Sequence, residues 1–110
     1  MKQSYKVWYQ KPEFFRDGIM GVSWLEKTHK MPDPNNLEKT HVYLLDREGN
    51  SRDDVFTAMQ GDNWSPNGEA VPQLEKAGLW HTSMSVGDIL IDESGKISMV
   101  DTFGWKEITK

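Results

Sequence analysis

The sequence predicts an α+β domain, a mainly antiparallel sheet of four to five strands with two or three helices packed on one face. Three observations carry this expectation. Residues 4–9 alternate with a period of two, Tyr5, Val7 and Tyr9 pointing one way and Lys6 and Trp8 the other, the pattern of a strand. Residues 51–60 place Val55, Phe56 and Met59 at helical spacing behind a serine that can cap. Two apolar stretches, 86–92 and 96–103, flank Asp92-Glu93-Ser94-Gly95, a hairpin turn whose glycine can take positive φ.

The remaining elements follow in order. Lys11-Pro12 ends the first strand, and Pro12 suits the first turn of a short helix through Glu13, Phe14, Phe15 and Arg16, closed at Asp17-Gly18. Residues 19–30 are ambiguous. Met20, Trp24 and Leu25 lie at roughly helical spacing, while Gly21 and β-branched residues weaken the pattern. Residues 31–36, with Pro32, Asp33, Pro34, Asn35 and Asn36, form a loop. A second strand covers 40–46. Its adjacent apolar residues Val42, Tyr43, Leu44 and Leu45 predict burial on both faces and a central place in the sheet. Residues 47–50 are expected to turn.

In the helix over 51–60, Asp54 can return the capping bond of Ser51. Asp53 and Asp54 sit at the positive end of its dipole, which accounts for this acidic pair without catalysis. Residues 62–68 form a polar loop holding Trp64, and a second helix covers 69–77 with Ala70, Val71 and Leu74 inward. The return strand over 96–103 sets Ile97, Met99 and Phe103 on one face, and residues 105–108 form a final strand. With 110 residues and neither an internal repeat nor a dividing linker, the whole chain reads as one domain.

Composition narrows function. The chain has no cysteine, which excludes disulfide scaffolds, thiolate metal sites and thiol nucleophiles. The first nine residues lack a signal-peptide core, and Ile89-Leu90-Ile91 is far too short to span a bilayer. A cytoplasmic protein without a membrane partner is expected. The 13 basic and 17 acidic residues give a formal charge of -4. Nucleic-acid binding, which ordinarily uses a basic face, is possible but not favoured. Five tryptophans serve either the core or an interface, and the core is the simpler account.

The most distinctive stretch is 80–89. It gathers His81, Thr82, Ser83, Ser85 and Asp88 just before an apolar strand, while Asp101 to Trp105 closes the return strand nearby. His81 with Ser83 or Ser85 and Asp88 contains the ingredients of acyl transfer, but neither a nucleophile elbow nor an oxyanion loop accompanies them. Side chains that satisfy backbone groups at a strand entry are the better account. Residues His29, His41 and His81 have no zinc-motif spacing, and no glycine-rich phosphate loop is present. No metal and no cofactor are expected.

The runs HTSMSVGDI (81–89) and VDTFGWKEI (100–108) resemble the C-terminal signature of the YodL-like domains. That signature is a Ser-x-Ser-Val-(Gly or Ser)-Asp-(Val or Ile) run followed by a hairpin ending near Asp-Ser-Phe-Gly-aromatic. The likeness covers roughly residues 79–108. Thr102 stands where the family has serine, and Trp105 where it has phenylalanine or tyrosine. The resemblance implies a phage, plasmid or other mobile-element context and transfers no catalytic residue.

The expected function is that of a non-enzymatic accessory protein binding a protein or nucleic-acid partner, a protein first. The alternative is a small-molecule or nucleotide-binding domain, a weak hydrolase included, with Trp64, His81, Ser83, Asp88 and Trp105 in one cleft. The candidate binding residues are Trp64, His81, Ser83, Ser85, Asp88, Asp101 and Trp105. The polar loop around Trp64 is the favoured functional loop, since loops on a rigid scaffold carry much of binding.

Overall fold

A computed structural model describes residues 2–110. The first strand, β1 (Gln3–Gln10), buries Tyr5, Val7 and Tyr9 as the alternation requires. It pairs antiparallel with β2 (His41–Gly49) on one side and β3 (Ile89–Ile91) on the other. β3 pairs with β4 (Ile97–Val100), and β4 with β5 (Trp105–Ile108), both antiparallel. The order β2-β1-β3-β4-β5 makes a five-stranded antiparallel sheet. Short helices complete the α+β fold: α1 (Pro12–Gly18), α2 (Val22–Lys27), α3 (Arg52–Ala58), α4 (Gly61–Trp64) and α5 (Val71–Lys76). The radius of gyration, 13.1 Å, is that of a compact chain of this length. Among the described residues, no helix is long and apolar enough to cross a membrane.

The helices cover both faces of the sheet, not the one face expected. Tyr5, Val7, Tyr9, Leu44, Leu90 and Val100 pack with Val55 and Met59 from α3 and its end, with Leu74 from α5, and with Leu79 and Met84. The opposite face brings Ile89, Ile97 and Met99 against Phe14 from α1, Val22 and Leu25 from α2, and Leu37. Successive side chains of a strand point to opposite faces. Every residue of β4 is buried, so its apolar residues need cover on two sides.

That second cover includes the ambiguous segment after α1. Gly21 adopts φ 94 as the N-cap of α2, a conformation that disfavours a side chain. A Cβ there would also crowd Thr102 Cγ2 at 3.0 Å and Asp101 Oδ1 at 3.1 Å. The N–H of Val22 donates to Asp101 Oδ1 at 3.0 Å. Helix α2 thus receives its cap from the far end of the chain, invisible to local patterning.

Strand β2 lies at the sheet edge, not at the centre. A bulge explains why its apolar run misleads. Val7 faces Leu45 and Trp8 faces Tyr43, which leaves Leu44 without an opposite residue. The extra residue reverses the alternation. Val42, Leu44 and Leu45 therefore all turn to the α3 side, while Tyr43 turns away, its ring 5.9 Å from Trp8. Residues 47–49, expected to turn, continue β2, and residues 62–64, expected as loop, belong to α4. Residues 86–88 precede rather than begin β3. The hairpin turn behaves as expected, Gly95 taking φ 87.

At the end of β1, Gln10 is fully buried and holds the Val86 carbonyl through Nε2 at 2.7 Å, leaving its Oε1 without a partner. A Cβ at Gly18 or Gly87 would collide with this amide. Gly18→Ala should cost about 1–3 kcal/mol, the usual penalty of overpacking. In a Gln10→Ala background the same substitution should cost less than half as much, a coupling measurable by denaturant titration of the four proteins.

Candidate functional site

Helix α5 is followed by a turn in which Gly78 takes φ 74, and the Leu79 N–H returns to the Leu74 carbonyl at 2.9 Å. Leu79 turns into the core, while Trp80 is 85% exposed. From there the chain runs as irregular backbone past the end of β1 and the start of β2 to reach β3. Buried backbone groups need partners, and here side chains from distant elements supply them.

Tyr9 Oη and Trp64 Nε1 both donate to the Thr82 carbonyl, at 2.7 and 3.0 Å. Gln60 Nε2 donates to the Met84 carbonyl at 3.1 Å, and Gln10 takes that of Val86. His41 Nε2 lies 2.7 Å from the Gly87 carbonyl and His41 Nδ1 lies 2.7 Å from Thr40 Oγ1. A carbonyl only accepts, so the proton of neutral His41 sits on Nε2. Burial lowers the His41 pKa below its ordinary 6.5, which keeps the ring in that neutral form. Burial, then the charge of Asp88, raises the Tyr9 pKa, so its hydroxyl stays protonated and donates.

Asp88 does the converse work. Its carboxylate is fully buried and accepts the Gln10 N–H and the Ser85 N–H, each at 2.8 Å. His81 Nε2 approaches both oxygens, at 2.9 and 3.1 Å. The His81 ring stacks on Tyr9, centroids 4.5 Å apart, and meets Phe15 at 4.9 Å. A buried carboxylate is tolerable only when so fully bonded.

Of the seven candidate residues, Trp64, His81, Ser83, Ser85 and Asp88 converge on this loop. Ser83 Oγ accepts the Gly61 N–H that begins α4, at 2.8 Å, and Ser85 Oγ donates to the Ser83 carbonyl at 3.0 Å. Neither hydroxyl engages His81, so the nucleophile-to-base bond of acyl transfer is not formed. Trp64, placed in the favoured functional loop, is partly buried and packs against the core. Asp101 and Trp105 stand apart. Asp101 caps α2, and Trp105 Nε1 donates to Asp53 Oδ1 at 2.9 Å. Trp105 lines a separate cleft. Among the described residues, no three His, Asp or Glu side chains gather as a metal-holding group.

Sequence reasoning passed over Trp80, the exposed product of this scaffold. It stands between two open clefts of about 490 and 700 Å³ that share Pro12, Glu13 and Trp80. Phe15, Arg16 and Lys30 line the larger, Lys11 and Val42 the smaller. Tryptophans carry no periodic mark of exposure, so only the turn after α5 decides that this one faces out. Gln10, His41 and Gln60 were equally silent, because their partners lie far along the chain.

Asp88→Asn would set an amide NH₂ against a backbone N–H, and stability should fall by about 1–3 kcal/mol, read as a lower denaturant midpoint. The second outcome concerns pH. Unfolded His41 binds a proton below about 6.5 that the folded state resists, so its stabilising contribution is full above that value. It declines as the pH falls from there toward the depressed folded pKa. His41→Gln should lessen the slope of stability against pH in that window. Compared with known proteins, the chain matches no family model, no curated protein and no solved structure.

Proposed function

We propose that the chain is a non-enzymatic binding module that captures a protein partner through the surface around Trp80. The observation that carries this reading is an 85% exposed tryptophan set on a loop held by buried hydrogen bonds. Leaving an indole in water forgoes the stabilisation that burial supplies. Tryptophan and arginine are the residues most enriched among interface anchors. A fixed backbone lowers the ordering cost of association. Pro12 and Phe15 extend the apolar ground, and Lys11, Glu13, Arg16 and Asp17 give a rim of both signs. A mixed rim suits a protein surface better than a phosphate backbone, which calls for uniform positive charge.

The likeness of residues 79–108 to YodL-like domains supports placing this module among the accessory proteins of a phage or other mobile element. The Ser83 and Ser85 hydroxyls bond backbone groups, and the Asp88 carboxylate is shared between backbone N–H groups and His81, which favours binding over catalysis. The larger cleft, about 700 Å³, is also of a size that suits small ligands, and nucleotide binding is the competing reading.

A photo-crosslinking amino acid at position 80 should trap one protein partner in the native host. With that partner purified, Trp80→Ala should weaken binding by about thirtyfold or more, the loss of a hot-spot residue. The melting temperature should stay unchanged. Undiminished affinity of the Trp80→Ala protein would sink the proposal. So would saturable binding of ATP or GTP that depends on His81.

A further inference from the structure

We infer that the cleft beside Trp105 is a second binding site, shaped to take one arginine or lysine side chain from a partner protein. The cleft lies between the first turns of α3 and the turn joining β4 to β5, with a volume of about 270 Å³. At about 30 Å³ per water-sized group, that space accommodates one long side chain. Phe56, Val86, Val100 and the Trp105 ring supply its apolar wall, and Asp53 and Asp101 supply its charge.

The two carboxylates are only half used. Asp53 Oδ1 accepts the Trp105 indole N–H, and Asp101 Oδ1 accepts the N–H groups of Val22 and Thr102. These bonds fix both carboxylates in orientation. Among the described residues, neither carboxylate forms an ion pair. Arg52, the neighbouring cation, lies over the Trp105 ring but does not line this cleft, donating to Ser98 Oγ at 3.2 Å and lying 3.9 Å from Glu107.

An apolar wall with a carboxylate rim is the complement of a basic side chain. Such a residue lays its methylene stem on hydrocarbon and keeps its charged end among polar groups. Trp105 already attracts one guanidinium, with Arg52 at 5.5 Å from the ring centroid, so the ring suits cations. Phe103 sits at the tip of the same turn, 93% exposed, where a partner seated in the cleft would cover it. A metal ion is a poorer occupant, because apolar groups form much of the lining and only two carboxylates face it.

The test uses the whole protein and follows the Trp105 indole N–H by ¹⁵N NMR. N-acetyl-arginine amide and N-acetyl-lysine amide should shift that signal saturably, in the millimolar range. Citrulline amide, the neutral isostere of the arginine probe, should not. Asp53→Asn keeps an acceptor oxygen for the indole and should weaken the arginine probe about threefold to fivefold, as loss of one exposed ion pair does. Added salt should weaken the wild type more than this variant. Equal shifts from arginine and citrulline probes would overturn the inference, as would an unresponsive indole. Trp80→Ala should leave this titration unaltered, so failure here and failure at the Trp80 surface are separate results.

Discussion

Irregular backbone that passes through a protein interior must find a hydrogen-bond partner for each polar group it buries. Residues 82–88 impose that demand on this fold. The carbonyls of Thr82, Met84, Val86 and Gly87 are met by Tyr9, Trp64, Gln60, Gln10 and His41, drawn from β1, β2, the end of α3, and α4. Asp88 answers from the other direction, accepting N–H groups from β1 and from its own loop. One segment therefore ties the first strand, the edge strand and the helices of one face to the start of β3.

This demand explains why Ser83, Ser85 and Asp88 bond to backbone groups before β3. The His81 imidazole, held between Tyr9 and Phe15 against a fully buried carboxylate, resembles a catalytic dyad in composition. It differs in what surrounds it, since the nearby serine oxygens have other partners.

The same rigidity gives the surface its character. Trp80 leaves the helix end one residue after buried Leu79 and one before His81, so both neighbours fix its direction. At the far side of the sheet, Asp101 ties the β4–β5 turn to α2, and Trp105 ties the following strand to α3. Both surfaces are thus built on short turns bonded to neighbouring elements. A partner meeting them would find groups already in place.

Periodicity and turn chemistry determined much of the fold from the sequence alone. The alternation of Tyr5, Val7 and Tyr9, the capping Ser51 and the turn at Gly95 are local signals, and the structure contains the strand, helix and hairpin they imply. The concentration of polar residues at 81–88 was equally legible, as was their use at a strand entry. Tertiary structure alone decided that β2 is an edge, because a one-residue bulge at Leu44 mimics a buried run. It alone decided that α2 forms and covers a second face, because its cap comes from Asp101, 79 positions away. Pairings across such distances leave no spacing to read. Sequence thus announces what a residue can bond, while the fold determines which partner reaches it.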